Sequence, residues 1–486
     1  MGDHELSGPG LPSAKHIDWI KTRLRAEPAP VALQYWMKPG GGRPGQTIHF
    51  IARHKHVVSI LRDHEECLSN EHYDDNLEQL PGGVALLLGE RSKQPLCWQL
   101  LARVLQIKPE RSRCSTDVIG DIASQVSAGV LRALRANGRL EFNLIREYGF
   151  YIPYLCAERF IGLRSVTTIP SSVRLFTWGR NLNSLMRLRD QGADLMRLTP
   201  EMRSSHIYLI WAKLMFSQIF KNYGSRSSAI QRMAGIGAKA YAKQVALLFE
   251  TTPFATEDTL YARLRRVEAA FSKEHSLSRE DYEELARNLI LEFVSSFHIL
   301  IGIAFAKVID TLNREKIDLV SFSKALEQPE GVYLLDKVLA EDPATTMLFR
   351  TAKDDLTKYG IKRGEAVCFL IDAASLEYAE GRPDRNVSDY FLRVPAPEER
   401  LGYLNFGPHE ACPYSFIKAD EAEPEAVDEP AHPCFGQFWA RAVLKEMIQA
   451  LAGPAERRLN LRPTERGAAV EYLLGVPDCF LVEIDP

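Results

Sequence analysis

One stretch limits the possible folds of this chain more than any other. Residues 280–314 carry the longest helical pattern, EDYEELARNLILEFVSSFHILIGIAFAKVIDTLNR. About 35 residues at the helical rise span roughly 50 Å, enough to cross a whole domain. Its middle, Leu291 to Phe305, is apolar nearly all round, which predicts a buried central helix rather than a surface one. Glu292 and His298 interrupt that run, so it does not read as a membrane span. The other elements then have to wrap around it. With 486 residues, 45% hydrophobic and 25% charged, the chain has material for a large core in one large or two to three ordinary domains.

Composition removes several function classes. A net charge of -3 gives no reason to expect nucleic acid or an anionic membrane as partner. The eight cysteines, Cys67, Cys97, Cys114, Cys156, Cys368, Cys412, Cys434 and Cys479, lack paired spacing. They suggest neither a disulfide framework nor a zinc site, and a reducing, cytoplasmic setting is expected. Residues 1–14 read as a flexible N-terminus, without an apolar segment long enough for a signal or transmembrane anchor. Residues 15–486 are expected to form a single domain.

Along the chain, residues 15–26 predict an amphipathic helix, with Ile17, Ile20 and Leu24 on one face. Val31–Tyr35 and Thr47–Ile51 flank a Gly/Pro cluster and predict a hairpin. Lys55–Asp63 and 116–135 read as helices, and 171–250 as mostly helical. Towards the end come a helix, a proline turn, a strand around Phe349-Arg350-Thr351-Ala352 and a second apolar strand after Gly364. Tyr472–Pro477 and Phe480–Val482 read as the two strands of a terminal hairpin.

The chemically informative stretch is His432-Pro433-Cys434-Phe435-Gly436-Gln437-Phe438-Trp439-Ala440-Arg441. It runs into Ala442, Val443, Met447, Ala450 and Leu451 at helical spacing. A cysteine just before a helix lies where backbone N–H groups and the helix dipole favour a thiolate. Small Gly436 and Ala440 permit a close loop-to-helix approach. A buried apolar cysteine is the plainer reading of Cys434 taken by itself.

The stretch resembles the haem loop of the cytochrome P450 family, F-x-x-G-x-H/R-x-C-x-G-x-x-x-A. The likeness extends in order over most of residues 47–480, and is closest at LFRTAKDDLTKYGIKRGEAV. It implies a mainly α fold with a small β part and one haem b (iron protoporphyrin IX) between the long helix and the loop. Cys434 would be the axial iron ligand, with Gly436 and Phe406 shaping the loop. His432 and Arg350 would contact the propionates. Trp98 and Arg103 are further propionate candidates, one residue further apart than the family's W-x-x-x-R. A small lipophilic substrate is implied, with electrons from a reductase or ferredoxin.

Three departures bear on the chemistry. The family's E-x-x-R, whose ion pair supports the haem loop, is replaced by Asp336-Lys337-Val338-Leu339. The carboxylate survives in shortened form and the arginine is gone. The acid–threonine pair of the long helix is replaced by Ser295-Ser296-Phe297-His298-Ile299. Ser296 and His298 are the candidate distal-pocket and proton-relay residues, although His298 also reads as a satisfied core histidine. The haem loop carries an acidic, Pro-rich insertion over 408–431. GPHEAC resembles the loop of haem-thiolate domains fused to fatty acid dioxygenases, which makes Cys412 a rival ligand. The resemblance implies a monooxygenase-type oxidation, for lipid or secondary-metabolite chemistry, and the absent acid–threonine pair keeps a peroxide-driven reaction close beside it. The alternatives are a hydroperoxide isomerase, dehydratase or peroxygenase, and a degenerate haem-free binding protein.

Overall fold

The structure, a computed structural model, describes residues 7–9, 14–26, 30–38, 45–63, 67–69, 94–106, 115–136, 141–162, 242, 245–250, 258–293, 297–385, 387, 389–400, 402–405, 436–453, 461–463, 471–473 and 476–484. The described helices are α1 (Ala14–Arg25), α2 (His54–Asp63), α3 (Gln94–Gln106), α4 (Ser115–Ala136), α5 (Tyr151–Ile161) and α6 (Leu260–Glu274). They continue with α7 (Arg279–Glu292), α8 (His298–Arg314), α9 (Leu319–Leu326), α10 (Leu334–Glu341), α11 (Ile371–Glu380), α12 (Pro397–Arg400) and α13 (Gly436–Ala452). The fold is mainly α, with three small sheets among the described residues.

The helix ends follow local chemistry. Ser278 and Asp281 form a capping box that starts α7. Thr259 caps α6 and Asp318 caps α9, each accepting a backbone N–H from its helix. Gly162 ends α5 with φ 90°, a left-handed angle that a glycine tolerates.

The predicted hairpin is present as β2 (Leu33–Lys38) against β3 (Gln46–Ile51), with Tyr35 opposite Ile48. β3 runs parallel to β7 (Ala366–Leu370), which pairs antiparallel with β6 (Met347–Ala352). β4 (Leu68–Ser69) closes one edge against β6. At the other edge β1 (Ser7–Pro9) pairs with β2, so these three residues of the expected flexible terminus are a strand.

The C-terminal expectation needs correction. The hairpin there is β9 (Glu471–Leu473) with β10 (Val476–Cys479). β11 (Leu481–Ile484) instead lies between β5 (Glu141–Asn143) and β8 (Leu461–Pro463). The local pattern at 480–482 is strand-like, but one partner, opposite Val482, is Phe142, far back in the chain, and the other is Pro463, ahead of the β9–β10 hairpin.

The central helix is also subdivided. Phe293 and Phe297 have π-helical backbone at the junction of α7 and α8, and residues 294–296 lie outside the described residues. α8 is buried on nearly every side, from His298 through Leu312. It packs on α5, α10 and α13, and α13 lies along α4. One large core joins these helices, while a smaller one lies under α2, β3 and β7. Among the described residues no helix is long and apolar enough to cross a membrane.

The α8 contact has a close interlock. A Cβ on Gly302 would fall 2.3 Å from the Phe150 ring, and one on Gly149 would fall 2.7 Å from the Phe305 ring. Helix propensity alone favours Gly302→Ala by about 1 kcal/mol. Packing opposes it, because the Phe150 ring is buried and overpacking costs about 1–3 kcal/mol. Gly302→Ala is expected to lower the unfolding free energy in a urea titration, and a neutral or stabilised variant would contradict the interlock.

Candidate functional site

The site is approached from α13, which starts at Gly436, two residues after Cys434. Cys434, His432, Phe406 and Cys412 all lie outside the described residues. Both flanks of their segment are described, and each is fixed by charges buried on α10.

On the C-terminal flank, Arg441 of α13 donates to the Asp336 carboxylate from Nε at 3.0 and 3.1 Å and from Nη2 at 2.7 Å. Its Nη1 donates to Gln437 Oε1 at 3.0 Å, one helical turn back. The two charged side chains are 3% and 0% exposed, so the pair is taken out of water and held by bidentate geometry. The guanidinium also lies 5.1 Å from the Tyr333 ring. The Asp336 carboxylate thus has its arginine partner on another helix.

On the N-terminal flank, Asn405 donates its amide to the Asp336 carbonyl at 2.6 Å. Next to it, Lys337 Nζ stands 3.4 Å from Glu399 Oε1 and donates to the Arg393 carbonyl at 3.2 Å. It also lies 4.0 Å from the Tyr390 ring centroid. Glu399 accepts from Tyr403 Oη at 2.8 Å and pairs with Arg382 at 3.4 Å. Burial pushes the Glu399 carboxyl up, but the Tyr403 hydrogen bond and the charges of Lys337 and Arg382 outweigh it, so its pKa is lowered. Burial pulls Lys337 down to about 8, against the opposing charge of Glu399.

Between α13 and the central helix lies an aromatic seam. Trp439 meets Phe293 at 4.9 Å, Phe160 at 5.5 Å and Phe297 at 6.0 Å, each edge-on. Phe293 and Phe297 stack at 4.4 Å, one π turn apart. The Trp439 indole donates to Ser115 Oγ at 3.2 Å. The seam fixes the first turns of α13 against the π-helical step.

The other expected site residues are scattered. His298 is fully buried at the start of α8, edge-on to Tyr154 at 5.3 Å. Ile299 beside it is also fully buried, and Ser296 lies outside the described residues. Arg350 is buried in β6, where its Nη1 donates to the Phe349 carbonyl at 2.8 Å. Arg103 of α3 pairs with Glu274 of α6 and lies 5.5 Å from the Phe271 ring, so its guanidinium is committed to α6. Trp98 lies on the same helix, and its side chain is outside the described residues. Burial pushes the thiols of Cys156 and Cys368 well up, so neither is a thiolate at neutral pH. Among the described residues no three His, Cys, Asp or Glu side chains converge as a metal site.

Sequence reasoning missed Lys337 and Glu399 as a pair, Tyr403 as the donor to Glu399, and Gln437 as the acceptor for Arg441. The available signal was two adjacent charges, Asp336 and Lys337, inside the apolar run of α10, since buried charges require partners.

No family model matches the sequence, and no curated protein matches it. Solved structures are similar over nearly the whole chain. The bacillaene polyketide synthase cytochrome P450 PksS of Bacillus subtilis 168 has a TM-score of 0.60 at 13% identity, covering 100% of both chains. P450BioI, in complex with hexadec-9Z-enoic acid ligated acyl carrier protein, has 0.57 at 14%, over 96% of this chain and 98% of that one. The thermophilic cytochrome P450 from Sulfolobus tokodaii has 0.54 at 16%, over 96% and 99%. The chain therefore has the cytochrome P450 fold.

The Lys337 shift sets a sign for pH dependence. Because its folded pKa is lowered, the unfolded chain binds more protons between about pH 8 and the ordinary lysine range. The contribution of Lys337 to stability therefore rises with pH across that window. The stability difference between wild type and Lys337→Met should shift in favour of wild type from about pH 7 to about pH 10 in paired urea titrations. A difference that does not change with pH would show that Lys337 keeps an ordinary pKa.

Proposed function

We propose that this protein is a haem-thiolate oxidoreductase of cytochrome P450 type, a single domain over 15–486 that oxidises a small lipophilic molecule, with Cys434 as the axial ligand. The observation that supports this most is the likeness to cytochrome P450 structures along the whole chain, combined with a cysteine two residues before α13. The residues fit haem b. α13 is a 17-residue helix whose N-terminal amides and dipole favour a thiolate at its entrance. Burial holds the described Cys156 and Cys368 as thiols, so neither competes with Cys434 for the anionic role.

When bound, a haem with an axial thiolate supplies electron density that favours O–O cleavage. The chain's own residues would then do the following. Cys434 would hold the iron. Arg350 and His432 bind propionates through charge-assisted hydrogen bonds, and Gly436 lets the loop approach closely. Ser296 and His298 would hold or pass a proton. Trp98 remains a propionate candidate, whereas Arg103 is engaged by Glu274. Electrons would come from a reductase or ferredoxin. The substrate would be lipophilic, as the acyl chain carried in the P450BioI complex is for that protein.

A second reading rests on one observation. Ile299, the residue at the place of the family's threonine, is a fully buried aliphatic side chain with no proton to give. That favours chemistry starting from a fatty acid hydroperoxide, which needs no reductase.

The test is the absorption spectrum of the reduced, carbon-monoxide-treated protein. A strongly red-shifted Soret band that is lost in Cys434→Ala and kept in Cys412→Ala is the expected result. Loss in Cys412→Ala alone moves the ligand, and a folded wild type without haem overturns the enzyme reading in favour of a haem-free binding protein. In haem-containing protein, Arg350→Leu should lower haem occupancy while the red-shifted band of the remaining fraction persists. Turnover with hydroperoxide alone, against turnover only with a reductase, decides between the two enzymatic readings.

A further inference from the structure

Two adjacent residues of one helix send opposite charges to opposite ends of the same segment. Asp336 and Lys337 are both 0% exposed on α10. Asp336 reaches Arg441 of α13, just beyond residue 435, and its carbonyl takes Asn405, just before residue 406. Lys337 reaches Glu399 of α12, seven residues before the same segment. Glu399 is 3% exposed and also takes Tyr403 and Arg382. Four charged side chains buried this deeply are retained only where each has its partner.

We propose that the ion pairs Asp336–Arg441 and Lys337–Glu399 form a two-sided clamp that fixes the spacing of the two ends of segment 406–435. The clamp takes over the support that the missing acid–arginine pair would give, with reversed polarity on one side. The cation there comes from α10 and the anion from the 397–400 turn. The four residues are positioning residues that act through the segment they hold. The consequence for cofactor retention rests on the haem-thiolate reading above, whereas the coupling of the two flanks does not.

The geometry requires that the two sides communicate. Asp336 and Lys337 share one helical turn, so displacing the α10 backbone on losing one pair moves the anchor of the other. The Asn405 bond adds a direct link, since its acceptor is the carbonyl of the residue whose carboxylate holds Arg441. A segment held at one end only would show no such cross-effect.

Hydrogen–deuterium exchange on the full-length protein tests this. Arg441→Met should accelerate exchange by about tenfold in α13's first turns and also in residues 402–405 on the far flank, with α8 unchanged. Glu399→Gln should do the same from the other side. The double variants Asp336→Asn with Arg441→Met, and Lys337→Met with Glu399→Gln, should be no worse than the worse single variant. Acceleration confined to the mutated flank, or additive effects within a pair, overturns the clamp. If Arg441→Met does not accumulate as folded protein, Glu399→Gln carries the test, because the amide oxygen can still accept the Tyr403 hydroxyl.

Haem transfer to an acceptor globin is the second measurement. In haem-containing protein, transfer from either single variant should be about tenfold faster than from wild type. Coupled flanks with unchanged transfer would break the link to the cofactor while leaving the clamp intact. A wild type without haem would overturn the proposed function, and the exchange result would still decide the clamp.

Discussion

The interaction on which the rest depends is the buried bidentate pair between Asp336 and Arg441. An ion pair this deep gives little net stability over an apolar replacement, because its attraction is largely consumed by desolvation. Its weight lies elsewhere. Removing one partner leaves an uncompensated buried charge, at a cost of about 3–5 kcal/mol. α10 and α13 can therefore dock in one register, the one that joins these two groups. The aromatic seam follows from that register, because Trp439 precedes Arg441 by two residues and lies in the same turns of α13. The beginning of α13, and with it the direction from which residues 406–435 arrive, is set by α10 and by the π-helical step together.

Lysine in place of arginine changes the character of the second pair. A guanidinium stays charged under all ordinary conditions, whereas an ammonium loses its proton when desolvation is strong enough. Lys337 is desolvated on a wholly buried helix face, and its nearest anion, Glu399, is shared with Arg382 and Tyr403. Glu399 thus retains partners when Lys337 is neutral, and the 397–405 stretch keeps part of its framework. The Tyr390 ring face under the ammonium offers a cation–π contact in the charged state and an apolar one in the neutral state.

Much of the fold could be read in the sequence where its determinants are local. The Gly/Pro cluster between Tyr35 and Thr47, the continuous apolar run of β7, and the all-round apolar stretch after Leu291 each specify their own element. What could not be read depends on distant partners. β11 has an ordinary strand pattern, and nothing near it distinguishes pairing with β10 from pairing with β5 and β8. The π-helical residues Phe293 and Phe297 keep helical hydrophobicity, so the step between α7 and α8 leaves no trace in periodicity. Arg441 was visible as the residue after Ala440, but its role depends on an aspartate 105 residues away. The four residues Asp336 to Leu339 read by themselves hold no arginine for Asp336, and the positive charge that pairs with it arrives from another helix.

The same distinction between local motif and spatial arrangement bears on the central helix. On the proposed function a hydroxyl at position 299 would hand on a proton, and Ile299 offers none, its side chain being fully enclosed. His298 cannot replace it by simple substitution. Its ring lies against Tyr154 of α5, the helix that also carries Phe150 onto Gly302. A proton relay using His298 therefore has to run along the α5 side of the helix. Chemistry that starts from a substrate already carrying its O–O bond has no such demand, which is why the residue at 299 weighs on the choice between the two enzymatic readings more than any feature of the loop.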